Sequence, residues 1–106
     1  MTSTPLLITT EAAPDVATLR LMGEIDLSSS HLLAEAIELA VLSGSRVVIL
    51  DFDGVSFVNS TGLGAMVAAT KRLRNEGGDL VLRRFRGIPA SALATTGLDR
   101  FFTIES

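Results

Sequence analysis

Four consecutive apolar residues, Val47-Val48-Ile49-Leu50, restrict the fold more than any other part of the chain. Three are β-branched, and the run does not alternate with polar residues. That pattern predicts a central strand buried on both faces. Helical periodicity stands on either side of it. Before the strand, Leu32, Leu33, Ala36, Ile37, Ala40 and Val41 recur at helical spacing, with His31, Glu35 and Glu38 off the stripe. After it, Leu63, Met66, Val67, Thr70 and Leu73 do the same. A buried strand between two amphipathic helices points to an α/β domain with a largely parallel sheet.

The remaining elements follow the same logic. Leu6 to Thr10 reads as a short strand, Glu11 to Asp15 as a turn, and Val16 to Met22 as a half-buried strand, with Ala17, Leu19 and Leu21 on one face. Gly23-Glu24-Ile25-Asp26 ends that strand, and Ser28 to Ser30 offers N-caps for the first helix. The apolar strand runs from Val47 to Phe52. Gly77-Gly78 closes the second helix, Leu80 to Leu82 is a strand, and Pro89 to Thr96 is a short helix closed by Gly97. Phe101 to Ile104 is a last strand, with both phenylalanines assigned to the core. The order is β-β-α-β-α-β-α-β, one domain over residues 1–106 with a central mixed sheet and an antiparallel first hairpin.

Composition removes several function classes. A net charge of −3 with no basic block gives nucleic acid nothing to bind, and Arg83-Arg84-Phe85-Arg86 reads as a solvated strand edge. The absence of cysteine excludes disulfides, thiolate metal sites and cysteine nucleophiles, and suits a reducing cytosol. No apolar run is long enough to span a bilayer, and the first residues lack a signal-peptide pattern. A soluble, cytoplasmic protein is expected.

Catalytic constellations are hard to assemble. His31 is the single histidine and has no acidic or hydroxyl partner in sequence. Gly62-Leu63-Gly64 lacks the third glycine of a dinucleotide fingerprint, and there is no P-loop. Asp51 and Asp53, at the exit of a predicted strand, read as solubilising carboxylates, so no metal or cofactor is expected. One stretch stands apart. Phe57-Val58-Asn59-Ser60-Thr61-Gly62-Leu63-Gly64 places two hydroxyls where a strand passes into a helix, among free N–H groups at the positive end of a helix dipole. Such residues serve as N-caps, and the same setting suits a phosphoryl group.

Gly23-Glu24-Ile25-Asp26, Asn59-Ser60-Thr61-Gly62-Leu63-Gly64, Gly77-Gly78-Asp79-Leu80 and Thr96-Gly97-Leu98-Asp99-Arg100-Phe101, in this order and spacing, resemble the STAS family. More narrowly they resemble its stand-alone bacterial members, the anti-sigma factor antagonists, rather than a detached transporter domain. The resemblance covers essentially the whole chain. It implies a regulatory protein, not an enzyme, that binds an anti-sigma factor with serine kinase activity and so releases a sigma factor. It also implies phosphorylation at Ser60, with Thr61 as second acceptor, and a phosphatase that resets the switch. Glu24 and Asp26 match the family loop beside the acceptor; with Asn59, Ser60, Thr61, Gly62 and Leu63 they form the expected partner-binding face. The family's aspartate before the acceptor is Asn59 here, which keeps the shape and removes the charge. That departure leaves open a non-phosphorylated scaffold or ligand-sensing module. An enzyme using the Ser60–Gly64 turn as an anion site is the third reading.

Overall fold

The structure, a computed structural model, describes residues 4–105; Met1 to Ser3, part of the N-terminal stretch read above, lie outside it. In chain order the strands are β1 (Leu7–Ala13), β2 (Val16–Ile25), β3 (Val47–Val58), β4 (Asp79–Arg83) and β5 (Thr103–Ile104). The helices are α1 (Ser30–Leu42), α2 (Ser60–Asn75) and α3 (Gly87–Thr96), followed by a 3₁₀ turn at Leu98–Arg100. The sheet order is β1-β2-β3-β4-β5, antiparallel at β1–β2 and parallel elsewhere. This is the mixed α/β sheet that the sequence predicts.

Because the strands follow one another across the sheet, each right-handed β-α-β crossover lays its helix on the same face. Burial agrees. Ala17, Leu19 and Leu21 of β2, Val48, Leu50 and Phe52 of β3, and Leu80 and Leu82 of β4 are buried. They are in register across the sheet, Ala17–Val48–Leu80 and Leu19–Leu50–Leu82. Leu33 and Ile37 of α1, Leu63, Met66 and Leu73 of α2, Leu93 of α3 and Phe102 complete one core. The expected burial of β3 on both faces is therefore corrected: Val47 and Ile49, on the opposite face, are only half-buried. Nothing in the chain order sends a helix to that side.

Other boundaries also move. β1 continues to Ala13, so the expected turn over Glu11–Asp15 shrinks to Pro14-Asp15, with Asp15 at φ +66°. The Asp15 carbonyl accepts the Arg46 and Val47 N–H groups at 2.8 and 3.0 Å, which anchors that turn to the start of β3. β2 runs through Gly23 and Glu24 to Ile25, where the sequence suggested an end. β3 extends to Val58, because two register shifts against β2 add residues without breaking the pairing. Asp51 and Asp53 thus lie within a strand. Asp51 is buried and bonds Arg84 at 2.8 Å; Asp53 bonds Arg86 at 2.6 Å. With the Arg83–Glu105 pair, and Phe85 edge-on to Phe52, these contacts engage the whole basic cluster read as a solvated edge. Leu32 leaves the predicted apolar stripe and is 38% exposed, since α1 does not close over β1. α3 starts at Gly87, two residues before Pro89, and β5 is only two residues long.

The α2–β4 connection is tightly specified. Gly78 N–H reaches back to the Leu73 carbonyl at 2.8 Å and Gly77 N–H to the Arg74 carbonyl at 3.2 Å, a Schellman-type closure. A Cβ on Gly78 would sit 1.8 Å from the Arg46 carbonyl oxygen, so the backbone of the β3 entrance excludes any side chain there. Just beyond, burial opposes ionisation of Asp79. Hydrogen bonds from Thr103, Arg74 and the Leu80 N–H outweigh that effect and hold its pKa below 3.8.

Gly78→Ala should destabilise the domain by about 3 kcal/mol or more, read as a lower urea midpoint with unchanged slope. Asp79→Asn should cost stability at neutral pH. Because the folded-state pKa of Asp79 is depressed, that difference should be full above pH 3.8 and shrink as pH falls below it, in paired urea titrations.

Candidate functional site

The parallel pairing of β2 with β3 ends by bringing Glu24 opposite Phe57 and Ile25 opposite Val58. Asn59 N–H then donates to the Ile25 carbonyl at 2.9 Å, so the last rung of the sheet is also the first residue of the turn into α2. Asn59 is extended (φ −92°, ψ 176°) and acts as the N-cap: its Oδ1 accepts the Gly62 N–H at 2.8 Å, and its carbonyl accepts the Leu63 N–H at 3.0 Å. That leaves Ser60 and Thr61 as the first two helical residues, both exposed, with N–H groups that have no partner within the helix.

Gly62 is what lets this turn lie so low. A Cβ there would stand 2.6 Å from Ile25 Cγ2 and 3.0 Å from Val58 Cγ2. The helix start therefore rests directly on the two β-branched residues that end β2 and β3. Leu63, which the sequence places on the core stripe of α2 and the resemblance on the partner-binding face, packs in the core and is only 6% exposed, and Gly62 is buried as well. Helical geometry turns these two positions inward when Ser60 and Thr61 turn out.

Glu24 is half-buried at the end of β2, and its side chain makes no hydrogen bond or ion pair among the described residues. Asp26 is tied into its own loop. Its Oδ1 accepts the Ser28 N–H (3.0 Å), the Ser28 hydroxyl (2.7 Å) and the Ser29 N–H (3.1 Å). The buried Ser29 hydroxyl accepts the Asp26 N–H at 2.9 Å and shares its proton between the Glu24 carbonyl (2.9 Å) and Asp26 Oδ1 (3.0 Å). Ser29 was grouped with generic caps by the sequence reading. It is the residue that fixes the loop, and the Asp26-Leu27-Ser28-Ser29 spacing carries that signal as an Asx-type turn.

Sequence reasoning also passed over the apolar groups around this end. Leu27, next to Asp26, is 78% exposed, and Phe57, across from Glu24, is 43% exposed. A hydroxyl on a helix N-terminus, two carboxylates and two exposed apolar side chains make a surface suited to contact with another macromolecule. Among the described residues no group of three or more potential ligands could hold a metal ion. His31 is exposed at the start of α1, and Asp51 and Asp53 are engaged by arginines.

The STAS domain family model matches residues 8–106. The chain belongs to the STAS family. It is 40% identical to the anti-sigma-B factor antagonist of Listeria monocytogenes over 60 residues, 57% of this chain and 53% of the relative. The match thus spans about half the length of that curated relative. Among solved structures it resembles an anti-sigma factor antagonist from Mycobacterium paratuberculosis, with TM-score 0.82 and 25% identity over 93% of this chain and 84% of that one. It shares its fold with the anti-sigma factor antagonist SpoIIAA in the unphosphorylated form (TM-score 0.80, 20% identity, 94% and 89% covered). No helix among the described residues is long and apolar enough to cross a membrane.

Asn59→Ala should cost about 1 kcal/mol by removing the bond to Gly62 N–H, whereas Asn59→Asp should retain the cap and lose little or nothing. Thermal unfolding of the three proteins side by side checks this order.

Proposed function

We propose that this STAS domain is an anti-sigma factor antagonist that works by partner switching. The unphosphorylated chain binds an anti-sigma factor with serine kinase activity and so frees a sigma factor for transcription. Phosphorylation of Ser60 ends the association, and a phosphatase restores it. The observation that carries this reading is the placement of Ser60: exposed on the first turn of α2, which follows directly on the strand pairing of Glu24 with Phe57 and Ile25 with Val58, next to Asp26. The name carried by the Listeria relatives supports the partner class.

The chemistry of the switch follows from electrostatics. A phosphoryl group brings about −1.5 to −2 charge and oxygens that must remain solvated or paired. On Ser60 it can draw on the free N–H groups of the α2 N-terminus, so the domain itself tolerates the modification without refolding. At the centre of a closed interface the same group imposes desolvation, and it adds repulsion against Glu24 and Asp26. A penalty of about 2.7 kcal/mol weakens binding a hundredfold. Leu27 and Phe57 supply the apolar contact that makes such an interface worth closing.

Asn59 supports a second reading, a non-phosphorylated scaffold or ligand-sensing module. An aspartate there would add a third carboxylate beside the acceptor and could orient the hydroxyl; asparagine retains the cap through Oδ1 without that charge. Thr61, also exposed one residue on, is the second acceptor position.

Ser60→Asp should weaken capture of the cognate anti-sigma factor by about a hundredfold while leaving the unfolding temperature nearly unchanged. Ser60→Ala should bind as wild type and gain no phosphoryl mass with ATP and the kinase. Equal binding by wild type and Ser60→Asp, with no added mass on wild type, would establish the scaffold reading. Added mass that persists on Ser60→Ala would move the acceptor to Thr61.

A further inference from the structure

β1 is an edge strand of seven residues, and Glu11 is the one device it carries of those that stop an edge from pairing. Its register with β2 is continuous from Leu7–Met22 to Ala13–Val16, so no bulge twists the edge away. It contains no proline or lysine, and its one charge, Glu11, is paired with Arg20 at 3.1 Å. On the helix side, Ile8, Thr10 and Ala12 face a cavity of about 540 Å³ whose far wall is Leu32, Ala36 and Leu39 of α1. On the open side, Leu7 is 60% exposed beside Met22, itself 59% exposed.

We infer that β1 pairs antiparallel with β1 of a second copy, with Thr10 on the two-fold axis, to form one continuous ten-stranded sheet. Backbone geometry alone makes any edge strand complementary to its own antiparallel copy, and a two-fold axis closes the assembly after two chains. The charge pattern selects the register. With the axis at Thr10, all seven residues pair and Glu11 lies opposite the partner copy's Thr9. With the axis one residue later, the two Glu11 carboxylates would face each other. In the Thr10 register each Glu11 shares a face and a row with an Arg20 across the interface, because Thr9 is the cross-strand neighbour of Arg20. On the other face, Ile8 meets Ala12 and Thr10 meets Thr10, a favourable cross-strand pair, and the two apolar cavities become continuous. Glu24, Asn59 and Ser60 lie at the ends of β2 and β3, off this edge, so the dimer leaves both sites open.

Sedimentation equilibrium of the full chain tests the assembly, with Thr10→Lys and Thr10→Glu alone and mixed. Wild type should have twice the 11.2 kDa chain mass. Each variant should be monomeric, its dissociation constant raised about a hundredfold or more, because like charges meet on the axis. An equimolar mixture should regain the dimer. Hydrogen exchange on wild type gives an independent reading: alternate amides along β1 should gain protection as concentration rises. A monomeric wild type, or a dimer that ignores both substitutions and leaves β1 exchange independent of concentration, would overturn the inference. Ser60→Asp should leave the mass unchanged, so failure of the phosphorylation reading would be seen separately.

Discussion

The parallel pairing between β2 and β3 holds the rest of this structure in place. Its N-terminal half sets the core rows, Ala17 beside Val48 and Leu19 beside Leu50, on which α1 and α2 lie. Its C-terminal half sets the candidate site, because the same ladder ends with Ile25 beside Val58 and passes straight into the Asn59 N–H bond. Stability and site geometry therefore share one set of hydrogen bonds. A backbone ladder buried under helices holds its ends far more firmly than a surface loop could.

Two register shifts in that pairing have consequences out of proportion to their size. β3 spends three residues from Asp51 to Gly54 while β2 spends two from Arg20 to Met22, and it gains another between Val55 and Phe57. Each extra residue reverses which side chains face the helices. Phe52, Val55 and Val58 are buried in spite of their irregular spacing, and Phe57 turns to the surface beside Glu24. Asp51 keeps the outer face, where Arg84 reaches it; without that guanidinium a buried carboxylate would be costly. The apolar rim of the site is thus a product of strand irregularity.

The site also separates two tasks between neighbouring residues. Asn59, Gly62 and Leu63 hold the helix start against Ile25 and Val58, and Ser29 fixes the facing loop; all four are half-buried or buried. Ser60, Thr61, Leu27 and Phe57 are exposed, on a frame that they do not support. A charge added to the exposed set leaves the frame intact. That division is the physical basis on which a modification could alter association without altering the fold.

The sequence by itself determined the element order, the mixed sheet, the core stripe of α2 and the turn at Asn59–Gly64. These follow from periodicity and capping chemistry, which act over a few residues. It located Ser60 and Thr61 at a helix start, because hydroxyls between an apolar strand and an amphipathic helix lie at or next to the cap; the structure assigned the cap to Asn59. Only the tertiary structure decided the length of β3, the one-sided burial of Val47 and Ile49, and the arginine partners of Asp51 and Asp53. Each depends on how far one strand slides along another or on which face a crossover covers. A local pattern does not encode such distances, since Val47-Val48-Ile49-Leu50 reads the same whether one face is covered or both. The uncovered face follows from three crossovers of one hand taken in one direction.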